Sequence, residues 1–322
     1  MSKDAVAIMT SGGDAAGMNP AALCAAQYAQ KNGIQPYFVY EGLSGLIDDN
    51  IHAVTKERTK GMLYTGGTLL RSARSKRFFE DEYRLQAFEN LKKRGINKLI
   101  VIGGDGSFRA LNRFYNEFKV PFAGIPATID NDIPGTDYCL GVDTCQNIIR
   151  TAIDSIRDTA TSFNRGFVIE TMGRHCGYLA MTTALTCGAE ICLVPEIEYD
   201  LDSIGARLRH EMENGRKSMI AIVAEGVRMG DHLTRWINDS LGMDARLTVL
   251  GHIQRGGSPT VYDRMMAFKF AVGAIESLKS GHTNQIVTFK TGEVGLKPIE
   301  EITSQKPVMP DLILDLCHPL CH

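Results

Sequence analysis

Runs of consecutive apolar residues, bounded by glycine turns and separated by helical stretches, constrain this chain more than any other feature. AVAIMT (residues 5–10) ends in SGGD, and the helical stretch NPAALCAAQYAQKNG follows, with proline near its start and glycine at its end. QPYFVYEG returns as a strand. DEYRLQAFENLKKRG has the apolar spacing of an amphipathic helix, with Leu85, Phe88 and Leu91 on one side. KLIVIGGDGSFRALNRFYNEF reads as strand, glycine turn and helix, and VPFAGI as a buried strand. In the second half GFVIETMG, AEICLVPE and SMIAIVAEG read as strands, and DLDSIGARLRHEMENG and DRMMAFKFAVGAIESLKSG as helices. DSIRDTATSFNRG reads as a helix end and a loop between the halves. Strands that do not alternate apolar with polar residues need cover on both faces, which a parallel sheet between helices supplies. The sequence carries no internal repeat and no low-complexity segment. The expected fold is α/β: two Rossmann-like α/β/α domains with largely parallel sheets. The active site is expected in the cleft between them, beyond the carboxyl ends of the strands.

A chain of 322 residues, 44% of them hydrophobic, is long enough for two domains with cores of their own. Its net charge of −2 argues against a nucleic-acid partner or an anionic membrane. No apolar run approaches a bilayer span, and MSKDAVAIMT lacks the apolar core of a signal peptide. The eight cysteines have no regular spacing; Cys24, Cys139, Cys145, Cys187 and Cys192 sit in apolar surroundings. They read as reduced thiols of a cytoplasmic protein. CHPLCH places Cys317, His318, Cys321 and His322 within six residues, with a proline between them. Ligands so close together would close a metal tetrahedron only under strain, so that segment is expected to hold no metal.

Chemistry concentrates at the strand ends. In PATIDNDIPGTD (residues 126–137) an extended backbone would put Asp130 and Asp132 on one face. They would then stand roughly 6–7 Å apart and repel by about 2–3 kcal/mol at an effective dielectric near 20. Solvent or a helix cap is the plain way to offset that; a cation plus a substrate proton is the functional one. Gly12, Gly13 and Gly17 in one loop, and Gly103, Gly104 and Gly106 in another, let backbone N–H groups turn towards an anion at a helix N-terminus. Neither loop has the spacing of a nicotinamide-binding or P-loop motif. Each carries an acid, Asp14 or Asp105, as a phosphate cradle that also holds Mg²⁺ requires. TGGTLLRSARSKR adds Arg71, Arg74, Lys76 and Arg77, which on their own could be a solvated basic loop. Arg165, Arg174, His175, Arg246, His252 and Arg255 lie near later strand ends. A single such arginine is usually a surface ion pair. Several, opposite acid-rich loops, favour a phosphorylated substrate.

TSGGDAAGMN, GGDGS, TIDNDIPGTD, MGRHCG and GHIQRGGSP closely resemble the motifs of bacterial 6-phosphofructokinases, in the same order and spacing over nearly the whole chain. The resemblance implies transfer of the γ-phosphoryl of Mg-ATP to the 1-hydroxyl of fructose 6-phosphate, a step of glycolysis. It matches Asp130 to the catalytic base and places Thr128 beside the reacting oxygen. Asp105 and Asp132 match the acids associated with Mg²⁺. Arg74 and Arg174 match groups that stabilise the transferring phosphoryl. Gly12, Gly104, Gly106 and Ser107 match the phosphate loops. Met172, Gly173, Glu225, His252 and Arg255 match the fructose 6-phosphate pocket. Arg165 and Arg246 match arginines that reach the 6-phosphate from a neighbouring subunit, which implies a homotetramer. The implied domains are residues 1–140 plus about 254–304 for the nucleotide, and 141–253 plus about 305–322 for the sugar phosphate.

Relatives that use pyrophosphate carry aspartate at the position of Gly106 and lysine at that of Ala127, so both positions favour ATP. Leu23 and Gln27 stand where regulated relatives place effector-binding arginines, and Lys56 replaces a third. Arg157, Glu190, Arg216 and Lys217 still resemble the effector pocket, so weakened or altered effector binding is expected. Ser75, Phe79 and Ala110 depart from the usual residues near the nucleotide base.

Overall fold

Strands and helices alternate from the first strand onward. β1 (Ala5–Ser11), α1 (Met18–Lys31), β2 (Gln35–Val39), α2 (Gly42–Ile47), β3 (Ile51–Ala53) and α3 (Lys56–Thr59) come first. α4 (Asp81–Lys93), β4 (Lys98–Gly103), α5 (Asp105–Phe118) and β5 (Phe122–Pro126) follow. The long α6 (Val142–Phe163) leads to β6 (Gly166–Thr171), α7 (Tyr178–Cys187), β7 (Ile191–Leu193) and α8 (Leu201–Glu213). Then come β8 (Met219–Ala224), α9 (Gly230–Leu241), β9 (Ala245–Val249), α10 (Val261–Lys279), β10 (Gln285–Lys290) and β11 (Glu293–Pro298). α11 (Ile299–Ser304) and α12 (Asp311–Cys317) are the last α-helices described. This computed structural model describes residues 4–73 and 75–322. It divides into two units, Met1–Thr144 with Arg255–Pro307 and Cys145–Gln254 with Val308–His322.

The first unit is built on a seven-stranded sheet in the order β11-β10-β5-β4-β1-β2-β3. Its pairings are parallel except at the two edges, where β3 and β11 run antiparallel to their neighbours. β1 is buried at every position, and Leu99, Ile100, Val101 and Ile102 of β4 are fully buried, which accounts for their continuous apolar sequence. Register decides where the functional loops go. Ser11 pairs with Gly103 and Gly103 with Pro126, so the loops after β1, β4 and β5 leave the sheet at one level. Neighbouring strands are about 4.8 Å apart, so those three loops stand side by side.

The second unit holds a wholly parallel four-stranded sheet, β7-β8-β6-β9. Ile204 and Leu208 of α8 and Leu233 and Ile237 of α9, spaced four residues apart, bury against Val168, Ala221 and Val223. Each such side chain contributes roughly 1.5–3 kcal/mol by leaving water. Thr171 pairs with Ala224 and Glu170 with Val249, which aligns the ends of β6, β8 and β9.

Two local expectations fail for identifiable reasons. Residues 154–163 are not a loop, because α6 runs on to Phe163 with Ile149, Ile153 and Ala160 buried on one stripe. Frequent polar residues between those positions disguise the helix. On α4 the buried face is Arg84, Ala87 and Leu91, whereas Leu85 is 50% exposed. Arg84 is fully buried because every arm of its guanidinium is bound. Nε and Nη2 donate to the two Glu117 oxygens at 2.6 and 2.8 Å, Nη1 donates to Phe78 O at 2.9 Å, and Asp81 takes a further bond. Bonds from Arg84, opposed by burial and aided by Arg113, hold the Glu117 carboxyl below its ordinary range. Glu117→Ala leaves the buried Arg84 cation with the exposed Asp81 as its remaining charged partner, at a cost of about 3 kcal/mol. The melting temperature should then fall by roughly 5–10 °C at pH 7. A depressed carboxylate stabilises above its unfolded pKa and loses that contribution as pH falls through the folded value. The gap between wild type and variant should therefore narrow below about pH 4. Thermal unfolding across pH checks this; a gap of constant size would contradict it.

In CHPLCH the end of α12 runs into a further helical turn. Cys317 and Cys321 are buried, and Cys321 Sγ donates to Cys192 O at 2.8 Å. Burial pushes the Cys321 thiol up to about 12. The His318 and His322 rings stack with centroids 4.4 Å apart. Among the described residues no group of three or more His, Cys, Asp and Glu side chains is placed to hold a metal. Cys24, Cys187, Cys192, Cys317 and Cys321 are free thiols. No described helix is long and apolar enough to cross a membrane.

Candidate active site

The loops after β1, β4 and β5 enclose a cavity of about 550 Å³ within the first unit. Gly12, Gly104, Asp105, Gly106, Ser107, Thr128, Asp130, Asp132 and Arg255 all line it. Gly12 sits at φ 89°, a left-handed conformation that a side chain would strain. A Cβ on Gly13 would lie 2.6 Å from Arg255 Nη1, so glycine there is what lets this guanidinium approach the loop. Arg255 Nη1 also donates to Asp14 O at 3.2 Å. Arg255, which the resemblance matches to the sugar-phosphate pocket, stands beside the first glycine loop.

α5 begins at Asp105, so the first-turn amides of Asp105 and Gly106 have no carbonyl above them to bind. They and the helix dipole face the same cavity, which suits an anion. Ser107 Oγ donates to Ser11 Oγ at 2.8 Å, joining the two loops. Asp105 Oδ2 accepts Arg109 Nε–H at 2.7 Å, while Asp105 Oδ1 is buried with no hydrogen-bond partner.

The segment carrying Thr128, Asp130 and Asp132 is not extended, as the sequence reading supposed. Asn131 adopts φ 51° and its N–H reaches back to Thr128 O at 3.4 Å, so the chain turns between the two acids. Thr128 Oγ1 accepts Asp130 N–H at 3.3 Å and donates its proton to Asp132 Oδ1 at 3.2 Å. One hydroxyl thus orients both carboxylate residues, and both line the cavity.

The remaining wall is more apolar than the sequence suggested. Leu43, Ala73, Phe78, Phe79 and Ala110 form it, with Ser75 and Lys76 as its polar members. Of the basic run, Arg71 pairs with Glu41 at 3.3 Å and Arg77 with Asp48 at 2.5 Å, the plain surface reading. Arg74 lies outside the described residues. The loop before it is held by Asn19, whose Nδ2 donates to Thr65 O at 2.8 Å and whose Oδ1 accepts Leu69 N–H at 2.7 Å. Asn19 is fully buried, and sequence reasoning missed it. An amide among alanines at a helix start was the available signal.

In the second unit Met172, Gly173 and Arg174 follow β6, Glu225 follows β8, and His252 follows β9. Met172 N–H donates to Gln254 Oε1 at 3.1 Å, and Gly226 N–H to Gly173 O at 3.2 Å, which ties these loops together. Arg174 and His252 are exposed, while Glu225 is half-buried. Arg165 and Arg246 share one carboxylate: Asp244 lies 2.7 Å from Arg165 Nε and 3.1 Å from Arg246 Nη2. Asp244, also missed from sequence, holds the two guanidinium groups as neighbours. Burial, followed by the charges of Glu225 and Asp231, raises the Glu170 carboxyl above its usual value.

Comparison with known proteins now bears on these loops. The sequence profile of phosphofructokinases matches residues 5–278. The chain belongs to the phosphofructokinase family. It is 51% identical over 311 residues to a protein of Sulfurimonas denitrificans named ATP-dependent 6-phosphofructokinase, covering 96% of this chain and 97% of that one. A Wolinella succinogenes protein of the same name is 47% identical, with 95% and 96% covered. Among solved structures, Saccharomyces cerevisiae phosphofructokinase superposes with a TM-score of 0.89 at 31% identity. That match covers 94% of this chain and 45% of the yeast chain, so this chain spans less than half the yeast protein's length.

In this phosphofructokinase family member a second cavity, of about 460 Å³, is lined by His210, Glu211, Asn214, Arg216, Lys217 and Ser218. Arg216 is already paired, with Glu190 at 2.5 Å and Glu211 at 2.6 Å. Arg157 is bound to the Cys187 and Gly188 carbonyl oxygens.

Proposed function

We propose that this chain is an ATP-dependent 6-phosphofructokinase, which moves the γ-phosphoryl of Mg-ATP to the 1-hydroxyl of fructose 6-phosphate. The products are fructose 1,6-bisphosphate and ADP. One observation carries the reading: two phosphate-type glycine loops and the Thr128–Asp130–Asp132 group share a single cavity in the first unit. Phosphoryl transfer asks a protein mainly for positioning and diffuse positive charge, with one base for the acceptor hydroxyl. Asp130 is that base. Thr128 orients it through the Asp130 N–H, and the amides at the start of α5 and Arg255 face the transferred charge; the resemblance matches Arg174 to a group that stabilises the same phosphoryl.

Mg²⁺ fits the donors present. Asp105 Oδ1 is a buried carboxylate oxygen with no hydrogen-bond partner, the kind of ligand a hard cation takes. Asp105 and Asp132 would hold the ion, which would neutralise charge on the β- and γ-phosphates. Fructose 6-phosphate is assigned to the second unit, to Met172, Gly173, Glu225, His252 and the Asp244-linked pair Arg165 and Arg246. In a homotetramer that pair would serve a neighbouring subunit's 6-phosphate. The pairing of Arg216 with two carboxylates supports a weak effector response, and the free thiols support a cytoplasmic location.

The test is formation of fructose 1,6-bisphosphate from fructose 6-phosphate with ATP, GTP or pyrophosphate, with and without ADP and phosphoenolpyruvate. Turnover with ATP is expected. Turnover with pyrophosphate alone would overturn the donor, and none with any donor would overturn the function.

A further inference from the structure

Resting on that functional reading, we infer that Asn131 is the positioning residue that fixes Asp130 and Asp132 relative to the rigid part of their unit. The segment containing them is closed at its base, where Ala127 and Leu140 form an isolated bridge and Leu140 N–H donates to Pro126 O at 3.0 Å. Inside that loop three bonds of the acid-bearing turn are long, at 3.2, 3.3 and 3.4 Å. Bonds of that length hold a turn weakly. The Asn131 side chain adds two more, across the loop. Its Oδ1 accepts Cys139 N–H at 2.8 Å, and its Nδ2 donates to Asp137 O at 3.1 Å.

Both partners are backbone groups, one on an anchored residue and the other next to one. Asp137 N–H donates to Phe289 O of β10 at 2.7 Å. Tyr138 OH donates to the buried Asp263 carboxylate of α10 at 2.7 Å. The amide of Asn131 therefore connects the two acids to β10 and α10 through a short chain of fixed bonds.

The position makes three demands at once. It needs φ 51°, which asparagine tolerates better than other residues with a side chain. It needs a donor and an acceptor on one planar group. It must be neutral, because it stands between two carboxylates. Glycine meets only the first demand. Aspartate keeps the acceptor, but loses the donor and adds a third negative charge. A displacement near 1 Å at a reacting group can cost on the order of 10² in rate.

N131G and N131D, each in the full chain, test this through kcat, both KM values and thermal unfolding. For N131G the melting temperature should stay within about 2 °C and both KM values within about threefold, because glycine accepts the backbone angle and no substrate contact is removed. Its kcat should fall about 30-fold or more, and that of N131D at least as far. The inference is overturned if N131G keeps kcat within threefold of wild type. It is equally overturned if kcat falls only in step with the folded fraction, since that marks a merely structural residue. A wild-type chain with no turnover would instead overturn the functional reading, and this inference with it.

Discussion

Replacing Asp130 by serine should lower kcat by about 10³-fold and leave the KM for fructose 6-phosphate within about threefold. Serine keeps the site polar and fits the space, but its hydroxyl cannot hold a proton taken from a sugar alcohol at neutral pH. The groups assigned to the sugar phosphate are untouched, since Arg165, Arg246, Glu225 and His252 belong to the second unit. Asp132 is held two residues away across the turn at Asn131, so the remaining acid should not swing into the vacated role. Steady-state kinetics with each substrate varied in turn decides the matter. Equal losses in kcat and in sugar-phosphate affinity would make Asp130 a binding group, and the base would have to be sought elsewhere.

The α/β architecture was legible because its central strands are buried on both faces, which forces unbroken apolar runs such as AVAIMT and KLIVIG. Elements that break this rule were hidden. Arg84 sits at the centre of a buried helix face, where a hydropathy reading expects an aliphatic residue, so the apolar stripe of α4 was shifted towards Leu85, although Leu91 was placed correctly. The β10–β11 hairpin turns on Thr291 and Gly292, at φ 51° and 89°. That geometry suits the tight hairpin turns normally signalled by Asn-Gly, a signal that Thr-Gly does not give. In the site, the glycine and aspartate spacings were informative because backbone–phosphate contact and cation binding demand particular residue types. Side chains that act by holding others were not: Asn19, Asp244 and Asn131 carry no chemistry of their own, and only the folded geometry shows what each one pins. The assumption of an extended segment failed at Asn131, whose left-handed backbone turns the chain and whose side chain binds partners six and eight residues further along.

Introducing aspartate at Gly106 should lower kcat/KM for ATP by about 10² while leaving the melting temperature unchanged or slightly higher. Glycine is not required at this position by the backbone or by packing. Gly106 lies in the first turn of α5, is absent from the residues with positive φ, and a Cβ built on it meets nothing within 4 Å. A helix normally loses up to about 1 kcal/mol by carrying glycine rather than alanine. An acid in the first turn would even favour the helix dipole by about 0.3–1 kcal/mol. What the missing side chain leaves is open space in the cavity wall beside Asp105 and Ser107. A carboxylate there, about 6 Å from a phosphate charge, would repel it by about 3 kcal/mol at an effective dielectric near 20, which corresponds to the expected loss. Pyrophosphate is shorter than a nucleoside triphosphate and need not enter that space, so any residual turnover with it should be affected less. If G106D instead keeps its ATP activity within threefold, the triphosphate does not pass Gly106. The steric case for ATP would then rest on Ala127 alone.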